Sequence, residues 1–257
     1  GQQLGEIWGY VVDGYFKTDE EARNYKVDQS FVNQMINASA LDNGLHAGDL
    51  KFVDLDGNNK IEQTTSANDR KDMKVIGNSL PRYNYNFGIS ADWYGIDFSV
   101  LFQGIGKQNW YPGAETSMFW GPYSRPYASF IPSDFMSQVW SEENTNAYFP
   151  RPRGYVALGS NRELAVVNTK YLQNLAYCRL KNLSIGYTLP DKWLSKIGFE
   201  KIRVYFSGEN LLTFTKLHSD YIDPEQASAS NSWKTSKSDA NIYPWAKTYS
   251  FGVDITF

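Results

Sequence analysis

Thr248-Tyr249-Ser250-Phe251-Gly252-Val253-Asp254-Ile255-Thr256-Phe257 closes the chain and decides how the rest is read. Tyr249, Phe251, Val253, Ile255 and Phe257 share one parity; Thr248, Ser250, Gly252, Asp254 and Thr256 share the other. Side chains alternate faces along a strand, so this stretch has one apolar face and one small, polar face. A half-buried sandwich strand fits that pattern, and so does a lipid-facing barrel strand. Two details favour the barrel. The strand runs to Phe257 without a polar tail, and Tyr243 and Trp245 sit where an interfacial aromatic girdle would begin.

Working outward, the same alternation recurs. Tyr83 to Trp93 places Tyr83, Tyr85, Phe87, Ile89, Ala91 and Trp93 opposite Asn84, Asn86, Gly88, Ser90 and Asp92. After the short turn Tyr94-Gly95, Ile96, Phe98, Val100 and Phe102 alternate with Asp97, Ser99, Leu101 and Gln103, which predicts a hairpin. Tyr171 to Leu189 and Ile202 to Phe214 are two more strands. Leu180 breaks parity in the first of these, so a bulge is expected near Arg179 to Lys181. Gly5 to Phe16 is a sixth strand with a less regular pattern. Thr18 or Asp19 caps a helix whose first turn is acidic. Phe31, Val32, Met35 and Ile36 have helical spacing, Ser133 to Trp140 suggests a short helix, and Pro190 to Gly198 a helical turn.

The connections sort by length. Long segments (17–82, 106–169 and 215–244) alternate with the short links Tyr94-Gly95 and Pro190 to Gly198. Strand direction reverses at each link, so every long segment falls at one end and every short one at the other. Outer-membrane barrels have long extracellular loops and short periplasmic turns, which puts Phe257 at the periplasmic end. Six strands are fewer than the roughly eight of the smallest such barrels, so the chain is expected to be part of a larger barrel.

The bulk numbers agree. The 257 residues include 18 Tyr, 15 Phe and 8 Trp, a content that favours strands, membrane interfaces and sugar-stacking surfaces. Net charge is -3, which excludes the electrostatic footprint of a nucleic-acid binder. No run approaches the roughly 18 apolar residues of a membrane helix, a test that a barrel wall escapes. Cys178 is alone and reads as a small half-buried side chain. The start Gly1-Gln2-Gln3 has no basic-then-apolar leader, which suggests a processed or internal piece.

Several blocks in order resemble a known family: Gly9-Tyr10…Asp13-Gly14-Tyr15-Phe16, Gly48-Asp49-Leu50-Lys51-Phe52-Val53-Asp54-Leu55-Asp56-Gly57-Asn58, Ile76-Gly77-Asn78-Ser79-Leu80-Pro81, Phe102-Gln103-Gly104, Tyr177 to Pro190, Val204 to Thr215, and the last strand. Together they resemble the C-terminal third of SusC/RagA-like TonB-dependent outer-membrane transporters, the nutrient importers of Bacteroidetes. Asn58-Asn59 stands where that family typically has Asn-Gly or Asp-Gly. The resemblance implies an all-β, antiparallel transmembrane segment over 1–257, about six strands of a barrel of about 22. It also implies an upstream plug domain not contained in these residues, a link to TonB, a SusD-like surface lipoprotein as lid, and an oligosaccharide or peptide cargo. The competing architecture is a secreted β-sandwich that binds glycan.

Candidate sites follow from residue chemistry. Asp54-x-Asp56-Gly57-Asn58-x-Lys60-Ile61-Glu62 resembles the start of a calcium loop, with Asp54, Asp56 and Asn58 offering side chains and Lys60 its carbonyl. Thr65 occupies the place of that loop's bidentate Glu, and an ordinary Asx turn explains the same residues. Trp110, Tyr111, Phe119, Trp120, Tyr123 and Tyr127, with Tyr221 and Trp233, either stack on a ligand or fill the interior of a long ordered loop. Arg203 and Glu209 lie on the polar face, where a pair with the plug is expected. His46 and His218 stand apart from any nucleophile motif, and GxSxG, HExxH and phosphate loops are absent, so no enzyme is expected.

Overall fold

The computed structural model describes residues 1–32, 44–64, 66, 68–124, 131–159, 162–194, 198–227, 237–238 and 243–257. Twelve strands are present among them: β1 (Glu6–Tyr10), β2 (Val12–Tyr15), β3 (Leu50–Phe52), β4 (Met73–Asn78), β5 (Arg82–Trp93), β6 (Ile96–Lys107), β7 (Asn109–Pro112), β8 (Gln173–Asn174), β9 (Tyr177–Thr188), β10 (Lys201–Thr215), β11 (Lys237–Ser238) and β12 (Thr248–Thr256). They build a wall and a loop body.

The wall is one antiparallel sheet in the order β12-β10-β9-β6-β5, its five strands following one another across the sheet in chain order, with β7, β8 and β11 outside it. Its register aligns like with like. One row runs Ser90, Ser99, Ser184, Ser207, Ser250 across all five strands. The row on the opposite face runs Ala91, Phe98, Ile185, Phe206, Phe251, and its neighbours hold Ile89, Val100, Leu183 and Val204, Val253. A one-residue slip would exchange the two faces, so this sorting fixes the register. The apolar face is uncovered: Phe87, Ile89, Phe251 and Val253 are 49%, 61%, 83% and 58% exposed. A soluble sandwich would bury such a face on a second sheet. No second sheet packs on it among the described residues.

The hairpin β5–β6 turns at Tyr94 (φ 49°) and Gly95 (φ 84°). Two consecutive positive φ values match the type I′ geometry whose twist suits a hairpin. The expected bulge is present. Register shifts occur between Leu101 and Phe102 of β6, opposite Asn182 and Leu180, and between Glu209 and Leu212 of β10.

The wall has five strands rather than six. Gly5 to Phe16 divides into β1, which pairs with β4, and β2, which pairs with β3. Both lie outside the wall, and Ile7, Tyr10, Tyr15 and Phe16 are buried in the loop body. Its irregular parity reflects that interior setting, where no single face meets lipid.

Other local expectations fare well. Thr18 caps α1 (Asp19–Arg23), its hydroxyl accepting from the Glu21 amide at 3.1 Å. Phe135–Gln138 is a 3-10 turn, and α2 (Ser117–Trp120) and α3 (Asp191–Leu194) are single turns. Phe31 and Val32 lie in a turn, while Met35 and Ile36 lie outside the described residues.

Candidate functional site

The three long segments do not hang separately from the wall. They share one core, in which Tyr10, Tyr15, Leu50, Phe52 and Ile61 meet Trp110, Trp120, Phe135, Phe149 and Leu164, then Tyr171, Leu217 and Ile222. The described residues of the loop body therefore form one packed unit on the long-segment end of the wall.

Four of the aromatic ligand candidates form the centre of that core. Trp110, Tyr111 and Trp120 are 0% exposed and Tyr123 is 1% exposed. Trp120 packs against Tyr111, Phe119, Phe149 and Tyr171 with ring centroids 4.8 to 6.4 Å apart. Its indole N–H donates to the Gly113 carbonyl at 2.9 Å. The Tyr111 hydroxyl donates to Leu164 O at 2.8 Å and the Tyr123 hydroxyl to Pro150 O at 2.6 Å. Burial pushes both phenols above the ordinary tyrosine value. These rings present no face to a ligand here. They pack, because a chain excursion this long needs an apolar interior to offset the entropy of ordering it. Tyr127 and Trp233 lie outside the described residues. Tyr221 is 44% exposed and borders a cleft of 280 Å³ that includes Asp134, Gln138, His218 and Asp220. There the His218 ring stacks on Tyr148 at 3.5 Å and meets Gln138 Oε1 at 2.8 Å. Burial holds its pKa below the usual imidazole value.

The acidic loop is only partly the arrangement expected. Asp54, Asp56 and Asp72 place carboxylate oxygens within 4.8 Å of one another. Asp72, 18 positions after Asp54, brings an acid that Thr65 does not. Asn58 is turned to other work: its Nδ2 donates to Asp56 and Glu62, each at 3.2 Å, and its Oδ1 accepts from the Lys60 amide at 2.8 Å. Asp54 accepts from the Gly57 and Asn59 amides, both at 2.7 Å. Asp72 accepts from Leu55 N at 2.9 Å and Glu62 N at 2.7 Å. Burial, with Asp56 and Asp54 nearby, raises the Asp72 pKa. The three carboxylates suit a hard cation; Asn58 and Lys60 act in the turn itself.

Two ion networks escaped sequence reading. Arg179, on the polar face beside the bulge, donates to Thr213 Oγ1 at 2.9 Å, Glu225 Oε2 at 2.7 Å and Asp223 Oδ1 at 2.7 Å. Lys181 Nζ donates to both oxygens of Glu225, at 2.9 and 2.8 Å. Asp223 also accepts from the Trp245 amide at 3.2 Å. Arg179 and Asp223 are buried, so this network clamps the last long segment onto the inner face of β9 and β10. The parity break at Leu180 was its only trace in the sequence. In the second network, Arg153 lies between two buried acids, Asp49 and Glu163.

Arg203 does not wait for an outside partner. Its Nη2 meets Asp97 Oδ1 at 2.6 Å and its Nη1 meets Asp254 Oδ2 at 3.1 Å, a bridge within the wall. It lies over the Tyr205 ring at 4.7 Å. Gly186 makes this possible, because a Cβ there would sit 2.6 Å from Arg203 Nε.

No family model matches the chain. Over its whole length it is 28% identical to TonB-dependent receptor P3 and 26% identical to TonB-dependent receptor P39, both of Formosa agariphila. It spans 22% and 25% of those relatives, so it compares with a segment of each. Structures of the RagAB peptide importer in the open-open state and of the RagAB peptide transporter superpose on 98% of the chain with TM-scores of 0.57 and 0.58. Sequence identity is 19% in both, and the match covers 22% of each of those chains. The resemblance to SusC/RagA-like TonB-dependent transporters is thus borne out, and the fold is that of a segment of an outer-membrane β-barrel.

Proposed function

We propose that the chain is the C-terminal wall and loop portion of a TonB-dependent outer-membrane importer of nutrient oligomers, glycan or peptide. The observation that carries this reading is the sheet with one uncovered apolar face, one polar face and all long segments at one end. On this reading the loop body is extracellular and Phe257 periplasmic. A SusD-like lipoprotein covers the loops, and TonB acts through an upstream plug. Tyr221 and its cleft, rather than the buried tryptophans, offer a ligand contact. The glycan-binding sandwich is disfavoured because its second sheet is missing from the described residues.

The test uses the full-length protein in outer membranes, with boiled and unboiled samples compared on gels. Ile89→Arg and Phe251→Arg, at exposed positions of the apolar face, place a cation in the lipid band, at a cost of roughly 2–4 kcal/mol at mid-depth. Ser90→Arg and Ser250→Arg place it on the polar face one residue away. Loss of the heat-modifiable band in the first pair alone supports the reading; equal tolerance of all four sinks it.

We also propose that the Asp54–Asp56–Asp72 cluster takes calcium. Its support is the convergence of three carboxylates, one of them buried, around a turn already shaped by main-chain bonds.

A further inference from the structure

Asp49 and Glu163 are both 0% exposed, and they come from different excursions of the chain. One guanidinium, Arg153, serves both. It donates to Asp49 Oδ1, and its Nε lies 3.3 Å from Glu163 Oε1. Asp49 also accepts from the His46 amide at 2.8 Å. Neither carboxyl oxygen of Glu163 has a hydrogen bond of ordinary geometry. The other groups facing Glu163 are Arg151 and the Leu50 amide, with the phenols of Tyr15, Tyr123 and Tyr171. A buried ionised carboxylate without hydrogen bonds is among the costliest groups a core can hold. The proton therefore belongs on Glu163, the acid with the poorer partners.

We propose that the loop body is held by a proton: Glu163 is a neutral carboxylic acid while segments 17–82 and 106–169 are packed together, and its ionisation loosens their junction. Burial and the neighbouring Asp49 push the Glu163 pKa from 4.5 to about 7. A raised acid pKa makes the packed state hold a proton that the opened state releases. Stability is then complete at low pH, falls as pH rises above the ordinary carboxyl range, and is lost once pH passes the folded value. Between pH 5.5 and 8.5 the opening equilibrium should grow about thirtyfold.

The experiment is hydrogen exchange on the full-length membrane-embedded protein across that pH range, corrected for intrinsic exchange, read in peptides covering 46–53 and 150–171. The wild type should lose protection as pH rises through about 7. Glu163→Gln, which keeps the shape and removes the titration, should hold its acid-side protection throughout. A flat wild-type profile overturns the proposal, and so does a Glu163→Gln profile as steep as the wild type. Should the variant fail to assemble, the wild-type slope alone decides. Exchange in the loops does not depend on what the protein carries, so this result and the importer reading fail separately.

Discussion

Replacing Trp120 separates packing from ligand contact. The indole is wholly buried among four rings and bonded to Gly113 O. Trp120→Ala removes the ring and leaves a cavity, a change that costs about 3–5 kcal/mol in a core that cannot collapse. Trp120→Phe keeps most of the packing and removes one of two hydrogen bonds to the Gly113 carbonyl, which still accepts from the Thr116 amide at 3.2 Å, so it should cost only about 0.5–1.5 kcal/mol. Because 1.4 kcal/mol is a factor of ten, the first change should speed exchange of loop-body amides by roughly two to three and a half powers of ten. The second should fall clearly below it. The assay is hydrogen exchange on the membrane-embedded protein, with peptides from β9 and β10 as internal reference. The wall lies outside this core, so its protection should hold. If Trp120→Ala left loop protection within about 1 kcal/mol of wild type while ligand uptake fell, the ring would be a binding surface and the packing argument wrong.

Arg179→Ala leaves the buried Asp223 without its ion partner, while Lys181 still holds Glu225, and should cost about 3–5 kcal/mol locally, as removal of one member of a buried pair does. Protease sites in 215–244 should open on intact cells, with Asp223→Asn milder; unchanged cleavage in both variants would mean the clamp holds nothing. Calcium in excess should slow exchange across residues 50–78 by the mass action of a ligand that binds only the folded state. Asp72→Asn should abolish that gain, and a gain that survives in Asp72→Asn would remove Asp72 from the ligand set.

The wall was legible because a membrane strand advertises itself. Each alternate residue meets either hydrocarbon or water, so Phe251, Val253 and Ile255 could be placed without knowing their neighbours. The loop body was not, because it has no repeating period. Trp110 and Trp120 read equally well as binding platform and as core, since both roles want a large ring; only burial separates them. Gly5 to Phe16 looked like wall because β1 and β2 are extended, although their partners β4 and β3 lie far off in sequence. Asp72 was missed because a calcium-loop template fixes its acids by spacing, whereas this fold recruits an acid from beyond the template. The serine row and the Arg179 clamp depend on register, which one strand read alone does not contain.

The core shared by three excursions has a mechanical consequence. Two wall hairpins, β5–β6 and β9–β10, are joined at one rim by short covalent links, Tyr94-Gly95 and the α3 turn. At the opposite rim the long segments are fastened to one another by the packing of Phe149, Tyr171 and Leu217. A strand held at both rims cannot slide past its neighbour without dissolving a core, on top of turning its apolar residues to the wrong side. The wall thus behaves as a plate rather than as separate slats, and force applied at the short-turn rim would be shared by the four strands of the two hairpins.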